Sequence, residues 1–245
     1  MSADAQSQQP HRRLRDELDT LQERLLEMVG IVERLVAEAI DAVLTRDPGA
    51  AESIRDEDDR VDELEIEIDE RVMEVLALQQ PMARDLRQII TANKISNDIE
   101  RVGDHAVNIA KAAMRYAGNE PLPEIRELSE MATITRQMLA DSLAAYVGRD
   151  AGTARMVCVT DDKVDDLRRS MYRILVTYML EDPKRLSGAL ELLLVSQNLE
   201  RIADLATNIA EDVVFLVEGR TIKHGIGERE AYGQERDGQE PDGAS

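Results

Sequence analysis

The stretch Glu100-Arg101-Val102-Gly103-Asp104-His105-Ala106-Val107-Asn108-Ile109-Ala110 returns 100 residues later as Glu200-Arg201-Ile202-Ala203-Asp204-Leu205-Ala206-Thr207-Asn208-Ile209-Ala210. Apolar positions alone would persist in any repeated helix. Here Glu-Arg, Asp and Asn persist as well, and the polar trio recurs at spacings of four. Four residues make about one helical turn, so Glu100, Asp104 and Asn108 share one stripe of a helix, as do Glu200, Asp204 and Asn208.

Upstream, the repeat continues at an offset of 103. Arg46-Asp47 and Gly49 return as Arg149-Asp150 and Gly152, and Asp58-Asp59-Arg60-Val61-Asp62 returns as Asp161-Asp162-Lys163-Val164-Asp165. The second copy is thus three residues shorter, which predicts a shortened turn near Pro81 or Pro183. Two copies of about 100 residues fill the chain.

Each copy reads as three helices. Leu14, Leu18, Leu21, Leu25, Met28, Val32, Leu35 and Ala39 step by threes and fours, the seam of a long bundle helix. Asp47-Pro48-Gly49 ends it, because the residue before proline disfavours helix and glycine permits the turn. A second helix is expected over 51–78, with Ile54, Val61, Leu64, Ile68, Val72 and Val75 facing the core. A third is expected over 83–117. The second copy follows with 123–149, 153–180 and 184–218. Long helices joined by short turns pack antiparallel. The expected architecture is all-α, two tandem antiparallel three-helix bundles at 13–119 and 120–224. Residues 1–12 and the acidic tail 225–245 are expected to be disordered.

Composition narrows the function. Fifty acidic and 30 basic residues leave a net charge of −20, which argues against nucleic acid and anionic lipid partners. Cys158 is the only cysteine, so a reducing compartment fits. The opening residues carry no apolar leader core, and the apolar run 189–195 is broken by Glu191 and too short to span a bilayer. A cytoplasmic protein with no direct membrane insertion is expected. No Gly-rich phosphate loop appears, and the three histidines, His11, His105 and His224, complete no Ser-His-Asp arrangement, so the chain reads as non-enzymatic. The Glu-x-x-His signature of di-iron bundles fails, because Val102 stands three residues before His105.

Four acidic pairs occupy equivalent places: Asp58 with Asp62, Glu100 with Asp104, Asp161 with Asp165, and Glu200 with Asp204. At about 100° per residue, the Glu100 stripe lies opposite the apolar face of its helix, and Asp58 and Asp62 lie on the shoulder of theirs. Neighbouring helices bring two pairs together per bundle. Like charges side by side cost free energy unless a cation neutralises them. Oxygen ligands suit Mg²⁺, Mn²⁺, iron or Zn²⁺, with Asn108 and Asn208 as supporting ligands. Solvated acidic faces are the alternative on so acidic a chain. The acids persist, however, while Gly30 faces Thr133 and Asn93 faces Leu193, which favours the cation role. Arg101 and Arg201 are expected to pair with acids of an adjacent helix. His105 is a weaker ligand candidate, since Leu205 replaces it in the second copy.

These segments resemble the PhoU family of bacterial phosphate-transport accessory proteins. The resemblance rests on 76–87, with its Gln79-Gln80-Pro81 turn, on Asp98-Ile99-Glu100-Arg101-Val102-Gly103-Asp104-His105, on Asn198-Leu199-Glu200-Arg201-Ile202-Ala203-Asp204, and on 217–224. It implies two bundles related by pseudo-twofold symmetry. It implies multinuclear metal clusters, iron or zinc most often, on the acidic motifs named above. It further implies a homodimeric negative regulator of the phosphate-starvation response, acting between the phosphate ABC transporter ATPase and a phosphate-sensing histidine kinase. A metal-buffering protein or a purely structural bundle is the alternative.

Overall fold

The computed structural model describes residues 3–222, with side chains from Arg13 onward. Six long helices follow in order: α1 (Ala3–Thr45), α2 (Ala50–Gln79), α3 (Ala83–Ala117), α4 (Arg126–Gly148), α5 (Ala151–Glu181) and α6 (Leu186–Glu218). A 3₁₀ turn, Pro183–Arg185, leads into α6. No strand occurs among the described residues. The chain is all-α, and α1–α3 and α4–α6 form two antiparallel three-helix bundles.

The predicted seams are the observed cores. Every seam residue of α1 from Leu14 to Ala39 is buried, as is the whole predicted apolar face of α2. Helix α1 begins earlier than expected: it starts at Ala3, so residues 3–12 are helical backbone. Extending a formed helix adds a hydrogen bond per residue without a new nucleus. The tail expected to be disordered at 225–245 lies outside the described residues. Helix α4 starts at Arg126 and not at 123, after an extended Ile125 that follows Pro121 and Pro123.

The Arg-Asp-x-Gly repeat is a repeated piece of local geometry. Arg46 and Arg149 both take left-handed backbone, at φ 57° and 52°, and so close α1 and α4. The following aspartate then turns the chain, because Asp47 and Asp150 each accept a hydrogen bond at 2.8 Å from the glycine N–H two residues on. Asp150 accepts a further bond from the Thr153 N–H and so caps α5. The missing three residues fall in the predicted turn. Residues 80–82 link α2 to α3, whereas Asp182 alone separates α5 from its 3₁₀ turn.

Helices α3 and α6 form the central antiparallel pair. Lys94 bonds Asp212 at 3.1 Å near one end, His105 bonds Asn198 at 2.9 Å in the middle, and Arg115 bonds Glu191 at 2.9 Å near the other. This register sets Gly103 level with Ala203, so the approximate twofold relating the bundles passes beside two buried small residues. Buried apolar side chains from all six helices form one continuous core.

Candidate metal centre

In each bundle the acids come from the hairpin whose second helix carries the repeated phrase. In the first, α2 presents Asp58 and Asp62, and α3 presents Glu100 and Asp104. Asp58 is the deepest, at 9 % exposure, while Asp62 and Asp104 are exposed and Glu100 is half-buried. Asp58 lies so deep because α3 places Gly103 against it. A β-carbon at Gly103 would collide with Asp58 Oδ1. That oxygen is shut away from water and has no hydrogen-bond partner.

A buried carboxylate among other carboxylates resists ionisation. Burial, followed by the charges of Asp62, Asp104 and Glu100, pushes Asp58 from an ordinary 3.8 up to about 7. Burial and the neighbouring Asp104 also raise Asp62, and burial, Asp104 and Asp62 raise Glu100. A fifth acid joins the group. Glu65 lies one turn beyond Asp62 and adds its charge to that felt by Glu100.

The second bundle repeats the plan with Asp161, Asp165, Glu200 and Asp204. Burial, then Asp204 and Asp165, push Asp161 up to about 6. Ala203 replaces Gly103 here, and Asp161 is only half-buried. Arg168 stands where the first bundle has Glu65, at the same offset of 103 as the acids. Its guanidinium lies 3.5 Å from Glu200 across the hairpin. Burial still raises Glu200 and Asp204, but Arg168 and Arg201 oppose that rise at both.

The four predicted pairs therefore gather into two clusters, one per hairpin. Asn108 and Asn208 continue the stripes by one turn, exposed and half-buried respectively. Among the described residues, no three carboxylate, imidazole or thiolate groups converge closely enough to hold one ion as they stand. The clusters concentrate negative charge without a preformed coordination shell. Their donors are nonetheless of the right kind, all hard oxygens, and the orphaned Asp58 oxygen is a buried acceptor in want of a positive partner.

One expectation is corrected. Arg101 does not reach an adjacent helix but pairs at 3.5 Å with Asp98, one turn back on α3. His105, the weaker ligand candidate, turns toward the other bundle. Its Nδ1 meets Asn198 Oδ1 on α6, which makes it a bridge between bundles. Sequence reasoning missed Glu65 and Arg168, although the repeat offset pairs them.

A family model described as the PhoU domain matches residues 25–113 and 128–213. A phosphate-specific transport system accessory protein PhoU homolog of Clostridium acetobutylicum is 37 % identical over 207 residues, covering 84 % of this chain and 94 % of that one. The homolog of the same description from Pseudomonas aeruginosa is 38 % identical, covering 85 % and 86 %. Among solved structures, PhoU from Pseudomonas aeruginosa superposes with a TM-score of 0.81 at 38 % identity, over 84 % of this chain and 99 % of the other. The phosphate transport system regulatory protein PhoU from Streptococcus pneumoniae gives 0.79 at 27 % identity, over 86 % and 99 %.

Proposed function

The chain belongs to the PhoU family, and we propose that it is a negative regulator of the phosphate-starvation response. It acts as a non-catalytic adaptor in the cytoplasm, between the ATPase of the phosphate ABC transporter and a phosphate-sensing histidine kinase, and it works as a homodimer. The observation that carries this reading is that the chain matches solved PhoU proteins over nearly the whole length of those chains. No described helix is long and apolar enough to cross a membrane.

Cation binding is part of the proposal. Asp58, Asp62, Glu100 and Asp104 would hold metal in the first bundle, and Asp161, Asp165, Glu200 and Asp204 in the second. Asn108 and Asn208 are supporting donors. Iron or zinc suits such a site in this family, and Mg²⁺ or Mn²⁺ suits the all-oxygen donors. The metal would supply charge neutralisation. It would tie α2 to α3 and α5 to α6 and stabilise the folded bundles by its preference for them.

Alkaline phosphatase activity of a strain lacking this gene, grown in phosphate-rich medium, tests the regulatory role. High activity is expected. Activity as low as in the parent would refute repression by this chain. The cation role is tested separately by metal analysis of Glu100→Gln/Asp104→Asn, whose metal content should fall.

A further inference from the structure

The two acidic clusters occupy equivalent places but do not carry equivalent charge. In the first, Glu65 stands one turn beyond Asp62 on α2 and adds a fifth carboxylate whose charge reaches Glu100. In the second, the matching position is Arg168, 3.5 Å from Glu200. The floors differ in the same sense. Gly103 lets Asp58 sink until its Oδ1 is buried without a partner, whereas Ala203 accompanies a half-buried Asp161. His105 reaches across to Asn198 on α6 of the other bundle, while Leu205 stands at the equivalent place in α6.

Resting on the cation-binding reading above, we propose that the clusters are a tight and a weak cation site, and that Arg168 is a tethered cation that occupies the second until a metal displaces it. A divalent ion entering the first cluster meets five carboxylates, one of them buried, and Arg101, whose charge acts on Glu100, is itself paired with Asp98. An ion entering the second must first free Glu200 from Arg168. The pair is partly exposed, with side chains 44 % and 20 % accessible, so solvent screens it and displacement is feasible. The first site then stays loaded at low cation concentration, and the second responds only at higher concentration. One chain thereby carries a standing structural ion and a cation-responsive hairpin.

Calorimetric titration of the full, metal-stripped chain with Mn²⁺ tests this. Wild type should show two classes of site. Asp58→Asn/Glu100→Gln should remove the tight class, and Asp161→Asn/Glu200→Gln the weak one. Arg168→Glu should tighten the weak class by about tenfold or more, and Arg168→Gln by less, as expected for reversal and removal of one near charge. Glu65→Arg should weaken the tight class by a similar factor. Helical circular dichroism of each variant guards against misfolding. Two equal classes in wild type, or a weak class unmoved by both Arg168 variants, would overturn the proposal while leaving cation binding intact. Absence of Mn²⁺ binding in folded wild type would overturn the cation-binding reading itself and the asymmetry with it.

Discussion

Replacing the buried carboxyl of Asp58 by an uncharged amide should stabilise the metal-free protein. The carboxyl is buried, its Oδ1 lacks a partner, and Asp62, Asp104 and Glu100 surround it. A rise from 3.8 to about 7 corresponds to a penalty of ~4 kcal/mol on the ionised folded state, at 1.36 kcal/mol per unit. Water on the open side of the cluster screens part of this, so Asp58→Asn is expected to gain ~2–4 kcal/mol at pH 8. Between its unfolded and folded values the folded state keeps the proton that the unfolded chain has lost. Wild-type stability therefore falls as pH rises from about 4 to about 7, and the full penalty is present above that range. At pH 5 the variant's advantage should shrink to less than about half. Thermal unfolding followed by circular dichroism, with EDTA present, measures this at both pH values. A gain of about 5–15 °C is expected at pH 8 for a chain of this size. An unchanged midpoint at pH 8, or an equal gain at both pH values, would refute the charge argument.

Gly103→Ala places a methyl group where Asp58 Oδ1 lies and should drive the carboxyl outward; its titration midpoint, read by carbon-13 NMR, should then fall from about 7 toward the value of about 6 at Asp161. A midpoint that stays put would show that Gly103 does not set the depth. Arg46 donates to the carbonyls of Tyr116, Ala117 and Asn119 and lies 4.7 Å from the Tyr116 ring centre, so Arg46→Ala should cost ~2–4 kcal/mol in urea unfolding and Arg46→Lys about half of that. His105→Leu copies the second bundle's Leu205 and should leave metal content unchanged while costing about 1 kcal/mol for the lost bond to Asn198. Loss of metal in that variant would restore His105 as a ligand.

The helices were legible because their apolar seams are long and regular. The turns were legible because Pro48, Pro81 and the Arg-Asp-x-Gly repeat act through local backbone chemistry. The acidic pairs were legible because each pair lies on one helix at a one-turn spacing. What stayed hidden depends on distances between helices. The depth of Asp58 is set by Gly103 on another helix, and periodicity alone placed it on a shoulder. The Arg168–Glu200 and His105–Asn198 contacts span 32 and 93 residues, and no spacing rule reports them. Arg101 finds its partner in Asp98 one turn away and not on a neighbouring helix, a choice that spacing alone leaves open. The early start of α1 escaped because residues 3–12 carry no apolar seam to mark them as helix.

The antiparallel meeting of α3 and α6 bears on how the chain comes apart. The buried residues of α3 face α1, α2 and α6 at once, so neither half can leave without baring the seam of the other. The halves are covalently joined at the α3–α4 connection, residues 118–125, yet they are held together by the seam. A chain cut in that connection should stay assembled through ordinary purification, and the two fragments, made separately, should find each other in solution. Melting should be a single event for the whole molecule, with amides at the middle of α3 and α6 the last to exchange.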